Sequence, residues 1–447
     1  MPYIQNTDHD RARMLEVIGA GSVDELFADI PESIRWRGEL AIPESHSEME
    51  LQNRVYELAF KNVTASCRPS FLGAGVYHHF IPTIVDHLAA RSEFVTAYTP
   101  YQPEASQGSL QAFFEYQTMI CMLTGLDISN ASMYDGATAL TEAALMALDL
   151  KNKRRKIAVS TAVHPDYRAV LATYLKHTDV DIVEISHVGG VTPVEAVQAA
   201  LDDETAAFLF QSPNFFGAIE DVSALAAATA DTGALSALSV DPISLSILEA
   251  PGNQGVDIVT GEGQALGSPM NFGGPGFGFM ATRAAYIRRL PGRIVGQTVD
   301  GEGRKAYVLT FQTREQHIRR ARATSNICTN HALVALRGVI YLAALGRTGF
   351  KKLGLLTASK AHAAAQRLAE LPGFELAINA PFFKEFTLRC PVPATQVNEV
   401  LYAKGIVGGF EAGRCYAKMD HHLILAVTET TPDDDVTRLV EALKGIA

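Results

Sequence analysis

The sequence predicts an α/β protein with a mostly parallel sheet, followed by a smaller α/β unit. Two observations carry this. Through the middle of the chain, short apolar runs alternate with helical patterns, the signature of strands covered by helices on both faces. After about Gly346 the pattern changes to a helix, three spaced strand candidates and a closing helix, which suits a more antiparallel sheet.

Residues 1 to about 60 read as helices. Ser22 with Glu25, and Ser47 with Glu50, have capping-box spacing, and Leu51, Val55, Leu58 and Ala59 form one apolar face after the second box. A Gly/Pro/aromatic stretch from Arg68 to Pro82 follows, then a short helix, then the loop Tyr98–Gly108, which opens a long helix from Ser109 to about Leu123, ended by Gly125. The strand candidates are Ile157–Ser160, Ile182–Ile185, Ala206–Phe210, Ala237–Val240, Asp257–Val259 and Phe277–Ala281. In the last part, a helix over Thr357–Leu368 precedes strands at Glu375–Ile378, Glu385–Arg389 and Leu423–Val427, and Asp434–Leu443 closes the chain. This gives an N-terminal helical segment (1–65), a large domain (66–345) and a small C-terminal α/β domain (346–447), in keeping with 447 residues that are 47% hydrophobic.

Formal charge is 38 − 49 = −11, which argues against nucleic acid as the main partner. The five cysteines, Cys67, Cys121, Cys328, Cys390 and Cys415, are odd in number and show no CxxC spacing, which suits a reducing compartment and gives no metal motif. The N-terminus has no apolar h-region and no apolar run is long enough to span a bilayer, so a cytoplasmic protein without membrane or nucleic-acid partners is expected.

Four features could carry chemistry. In Ser132–Glu142 a small-residue turn opens a helix whose free N–H groups suit an anion, or it is an ordinary helix N-terminus with Asp135 near the cap. His164 follows a strand at the sheet edge where ligands bind; it could stack on a ring or donate a hydrogen bond, or be a structural or capping group. Asp241 closes another strand and could pair with a ring nitrogen or merely form a turn. The Gly-rich segment Gly261–Gly276 implies close backbone approach, yet it fits neither a P-loop nor a GxGxxG motif. No lysine occurs between Lys176 and Lys305, a gap that contains Asp241 and the Gly-rich loop.

Three stretches together resemble the P-protein family of the glycine cleavage system: Tyr98–Gly108, Asn130–Ala139, and Gln312–Arg320 with Ala323–Asn330. The resemblance runs nearly end to end, and it is to the half without the cofactor lysine, called subunit 1 or alpha. It implies fold type I, the aspartate-aminotransferase type of pyridoxal-phosphate-dependent transferase, with a large, mostly parallel seven-stranded sheet. In the family's cofactor-bearing subunit a His-Lys pair stands before a Pro and a Gly-Gly-Pro-Gly run. Here Gly263-Gln264 precede Pro269 and Gly273–Gly276, so Gln264 stands at the lysine position. An amide cannot form a Schiff base. No cofactor is therefore expected on this chain, with His164, Asp241 and Gly136 vestigial, and pyridoxal phosphate is expected on a partner subunit.

The resemblance further implies glycine decarboxylation, with the aminomethyl group passing to the lipoyl arm of the H-protein, in an α2β2 assembly with the cofactor-bearing subunit 2 (beta). By analogy with fold-type I interfaces, this chain would complete the partner's site. Its candidates are Tyr98, Thr99, Tyr101, Gln102 and Gln107, with Tyr77, His78 and His79 behind them; the alternative is that the tyrosines only pack an interface. Arg314, Arg319, Arg320 and Arg322 read as a basic helix: a plain structural face, a surface for the acidic H-protein, or a source of ion pairs at the subunit interface. Two rivals remain: a self-sufficient fold-type I enzyme, which the lysine gap opposes, and a pseudoenzyme that only scaffolds its partner.

Overall fold

The computed structural model describes residues 5–96 and 98–446. The chain divides into two units, 1–63 and 64–447.

In the first unit, helices Asp8–Ile18 and Glu48–Ala59 are both capped by side chains. The Ser47–Glu50 box forms, with Glu50 donated to by the Ser47 N–H and the Ser47 hydroxyl accepting from the Glu50 N–H. Ser22 accepts from the Glu25 N–H, but the segment there is a 3₁₀ turn, Asp24–Phe27. A further box, Thr7 with Asp10, opens the first helix and was not anticipated. Neither helix has a buried residue, and Val17, Trp36 and Phe60 are among many large apolar side chains left exposed.

The second unit is built on a seven-stranded sheet of β1 (Ile128–Ser129), β2 (Lys156–Ser160), β3 (Asp181–Ile185), β4 (Thr205–Gln211), β5 (Leu235–Val240), β6 (Ile258–Glu262) and β7 (Gly278–Thr282). The spatial order is β1-β7-β6-β5-β4-β2-β3; β3 through β6 run parallel, while β7 and β1 pair antiparallel at one edge. β5 is buried at every position, as expected of a strand covered on both faces. Phe208, Phe210 and Leu238 pack beneath helices Gln107–Thr124 and Ala332–Ala369, and Leu209, Ala237 and Ile258 pack on the other face under Gly136–Leu150. The sheet thus presents the carboxyl ends of β2, β4, β5 and β6 along one edge.

A hairpin of β8 (Ile294–Val299) and β9 (Lys305–Thr310) follows. It was not anticipated, although Asp300-Gly301 is a hairpin signal: Asp300 accepts from the Glu302 and Arg304 N–H groups and turns the chain. The small sheet, β10 (Glu375–Leu376), β11 (Glu385–Arg389), β12 (Phe410–Glu411) and β13 (His422–Ala426), is entirely antiparallel, in the order β10-β11-β13-β12.

Two expectations need correction. The stretch Ala332–Ala369 is two helices that meet at non-helical Gly346, where φ is +58° and only glycine is comfortable. Contrary to the expectation of no such run, it is long and apolar enough to cross a membrane; Leu336, Val339 and Ile340 join the core of the large sheet and Ala361, Ala364 and Leu368 that of the small one, while Leu333, Leu355 and Leu356 are exposed. The basic segment is no helix: it breaks into turns and the four-residue helix Gln316–Arg319, with Arg320 at φ +54°.

Candidate functional site

At the carboxyl edge of the sheet, the residues that should frame a coenzyme hold the chain's own atoms instead. Helix Gly136–Leu150 starts at the cap residue Asp135, whose carboxylate accepts from the Thr138 N–H. In front of it, the Gly136 N–H donates to Glu262 at 2.9 Å, and so does the Gln264 N–H. A Cβ built on Gly136 would lie 2.3 Å from the Tyr167 hydroxyl. A carboxyl group from the end of β6 and a phenol therefore fill the place where a helix N-terminus would take a phosphate.

His164 caps the helix Pro165–Leu175: its Nδ1 accepts from the Asp166 N–H, which leaves Nε2 protonated, donating to the Ala74 carbonyl at 2.9 Å. Gly75 lies against that ring, since a Cβ there would meet Nε2 at 3.2 Å. The stretch Ala74–Tyr77 thus runs where a ring would stack. Gln264, buried, receives the Tyr77 N–H on its Oε1 and donates to the carbonyls of Tyr77 and Ser268. Every polar atom of the amide is satisfied by the backbone of the chain.

Asp241 pairs with Lys384 at 2.7 Å. Lys384, on the residue before β11, is buried; its ammonium lies 3.5 Å from the Tyr77 ring centroid and donates to His79 Nε2 at 3.0 Å. The other ring nitrogen of His79, Nδ1, donates to Glu429 at 2.8 Å. Burial and the neighbouring ammonium push His79 down, so a neutral imidazole links a carboxylate to an ammonium in the line Glu429–His79–Lys384–Asp241. Tyr77 donates its hydroxyl to Glu385, whose other oxygen accepts from the Ala74 N–H. Burial pushes both Glu262 and Glu385 up to about 7.

The cavity left among Gly75, Tyr77, Tyr167, Asp241, Gln264 and Lys384 is about 40 Å³. That is room on the scale of a water molecule, not of a substituted pyridine ring. With a carboxyl at the phosphate position, an amide at the lysine position and a lysine on Asp241, the residues present do not fit pyridoxal phosphate. Lys384 was invisible to the sequence reading because it comes from another sheet, beyond the lysine-free gap, and no spacing rule connects it to Asp241.

Glu262 gives a pH test. Its folded value lies above the ordinary one, so folding favours the protonated form. The associated penalty is absent below about pH 4.5, grows as the pH rises, and is complete above about 7. Glu262→Gln is expected to raise unfolding free energy relative to wild type by up to roughly 3 kcal/mol at pH 8, at 1.36 kcal/mol per pKa unit, with the gain vanishing toward pH 4. Urea titrations at the two pH values check it; a gain independent of pH would reject the assignment.

A second cluster lies where all three family-like stretches meet. Arg293, at 4% exposure, donates to the Tyr101 hydroxyl at 3.1 Å and to Asn330 Oδ1 at 3.2 Å. Asn330 in turn donates to the Ala131 carbonyl, and the Ala131 N–H to the Arg293 carbonyl. Tyr101 meets His317 edge-on at 6.1 Å. Thr99 Oγ1, Ser132 Oγ, Arg293 Nε and one oxygen of Glu315 are buried without a partner among the described residues. Arg314 is not a solvated basic side chain: it donates to the Leu290 and Gly292 carbonyls, and burial lowers it to about 10.

The candidates therefore separate. Tyr98 is 84% exposed and Tyr101 50%, and Gln102 is exposed, so these face outward. Gln107 spends its amide on the Tyr307 backbone and the Pro103 carbonyl and acts as a brace. Tyr77 and His79 point into the chain's own filled cleft, and His78 reaches Thr430. No group of three or more His, Cys, Asp or Glu is placed to hold a metal among the described residues.

Comparison with known proteins fits this geometry. The family model for the glycine cleavage system P-protein matches residues 1–443. A relative from Desulfitobacterium hafniense (strain DSM 10664 / DCB-2), named "Probable glycine dehydrogenase (decarboxylating) subunit 1", is 51% identical over the whole of both chains. A crystal structure of glycine decarboxylase (P-protein) of the glycine cleavage system, in inhibitor-bound form, matches with a TM-score of 0.93 at 45% identity, covering all of both chains. Sphingosine-1-phosphate lyase of Burkholderia pseudomallei K96243, at 14% identity and TM-score 0.67 over 93% of this chain and 94% of that one, shares the fold alone. The architecture is that of fold type I, and the chain belongs to the glycine cleavage system P-protein family.

Proposed function

We propose that this chain is the lysine-lacking subunit of a two-subunit glycine decarboxylase, and that it works by completing a site whose coenzyme sits on the other subunit. The observation that carries the reading is the filled cleft: Glu262 accepts from the Gly136 and Gln264 N–H groups, Gln264 bonds the Tyr77 and Ser268 carbonyls, and Lys384 pairs with Asp241. Catalysis of glycine decarboxylation then needs a second chain of the same family that keeps its lysine. Pyridoxal phosphate on that chain supplies the electron sink for loss of carbon dioxide.

This chain's own contribution is the outward face of the Tyr98–Gln107 loop. Tyr98, Tyr101 and Gln102 offer hydrogen bonds beside the apolar groove formed by Phe94, Pro100, Phe113 and Leu336. Such a face suits one wall of a passage for the lipoyl arm of the H-protein. The N-terminal unit supports an obligate assembly, since its exposed apolar side chains have no core of their own. An α2β2 complex in the cytoplasm, binding glycine and the lipoylated H-protein, is the assembly we propose.

Co-expression with the lysine-bearing subunit tests this. Glycine–bicarbonate exchange is expected from the pair and from neither chain alone. Exchange by the lone chain would reject the reading. Full turnover after Tyr98→Ala and Gln102→Ala in an intact complex would leave only the scaffold role.

A further inference from the structure

Arg293 is a buried cation without an anion. Among the described residues no carboxylate lies within ion-pairing distance of its guanidinium, and its Nε has no partner at all. The charge is costly to bury unless something balances it. The nearest acidic group of the cluster, Glu315, is itself driven toward its neutral form by burial and leaves one oxygen unpartnered.

The hydrogen-bond directions around Arg293 are not free. Guanidinium groups only donate, so the Tyr101 oxygen must accept from Arg293. A phenol has one proton, and the Tyr101 hydroxyl meets no acceptor among the described residues. That proton therefore points away from Arg293, on a side chain that is half exposed. A donor polarised by a cation behind it is suited to an acceptor carrying negative charge.

We propose that Arg293 is a positioning residue: it fixes the Tyr101 hydroxyl so that its proton is presented to an oxyanion of the site completed by the lysine-bearing subunit. This rests on the function proposed above. The oxyanion has two possible sources with the same chemistry, the carboxylate of glycine and the phosphate of the partner's pyridoxal phosphate. Binding either one supplies the charge that Arg293 lacks.

The test uses the assembled complex and the variants Tyr101→Phe, Arg293→Met, Arg293→Lys and Tyr101→Phe/Arg293→Met. Assembly is checked by gel filtration, glycine–bicarbonate exchange gives KM and kcat, and absorbance titration gives pyridoxal-phosphate affinity. For a carboxylate, Tyr101→Phe raises KM for glycine about tenfold, the scale of one hydrogen bond to a charged group, with cofactor affinity unchanged. For a phosphate, cofactor affinity falls by about the same factor and KM at saturating cofactor holds. In either case Arg293→Met reproduces the effect, adds less than about twofold on top of Tyr101→Phe, and is partly rescued by Arg293→Lys.

Multiplying effects, or an active complex in which Tyr101→Phe moves neither parameter, overturns the proposal while leaving the subunit's function standing. If Arg293→Met fails to assemble, Arg293→Lys against Tyr101→Phe decides by the same criteria. A wild-type pair with no exchange activity overturns both.

Discussion

Replacing Lys384 by methionine is expected to cost about 3–5 kcal/mol of unfolding free energy, the penalty for breaking a buried ion pair from one side. The substitution keeps most of the volume and removes the charge. It leaves Asp241 without its cation and His79 Nε2 without its donor. Asp241→Asn should lose a comparable amount. The double variant Lys384→Met/Asp241→Asn should lose clearly less than the sum, since two neutral groups then face each other. Urea denaturation with constant m-value checks this, and the cycle isolates the coupling. A loss near zero for Lys384→Met would mean that Asp241 is not left as an uncompensated buried charge when the ammonium is removed. The prediction is large because the pair is part of a line. Lys384 connects the strand β11 edge of the small sheet to the end of β5 in the large one, and Glu429 holds the far end through His79, the Phe80 N–H and the Thr357 hydroxyl.

The contrast between Asp241 and Lys384 shows what the sequence could and could not disclose. The large sheet was legible because its strands carry a local signal: an apolar run such as Ala206–Phe210 is buried on both faces and says so in composition. The end of each strand was legible for the same reason, and so His164, Asp241 and Gln264 could be placed at the sheet edge. What fills that edge was not legible. Lys384, Glu385 and the Ala74–Tyr77 stretch arrive from segments far off in sequence, 187 residues for Tyr77 and Gln264, and their contacts obey no period. The same limit hid Arg293, which has no motif around it and acquires meaning only when Tyr101 and Asn330 fold onto it. Tyr77 and His79 illustrate the converse. A Gly-rich aromatic loop reads as a binding loop in sequence, but the groups it meets are the chain's own Gln264, His164, Glu385 and Glu429.

Gln264→Lys, which puts a lysine where the proposed function places that of the cofactor-bearing subunit, is expected to leave the lone chain colourless in the presence of pyridoxal phosphate. A lysine at 264 would enter a site whose free space is about 40 Å³ and whose backbone acceptors, the Tyr77 and Ser268 carbonyls, are already placed to hold an amide. Its ammonium would find Glu262 and Glu385 close by in the cleft, and an internal ion pair competes with reaction at an aldehyde because only the neutral amine is nucleophilic. The phosphate would still meet Glu262 at the Gly136 N–H, and the ring would still meet Gly75 against His164. Three groups must therefore leave before one can enter: the Glu262 carboxyl, the Lys384 ammonium and the Ala74–Tyr77 loop, which Gln264 and Lys384 help to pin. Adding Glu262→Gly and Lys384→Ala to Gln264→Lys removes the first two and loosens the third. That triple variant is expected to gain measurable affinity for pyridoxal phosphate, at a cost in stability set by the now unpaired Asp241. The two absorbance titrations, single against triple, separate the possibilities. A yellow single variant would show that the absent lysine is the whole barrier and that the filled cleft opens on demand; a colourless single and a yellow triple variant would show that Glu262 and Lys384 exclude the cofactor even when a lysine is present.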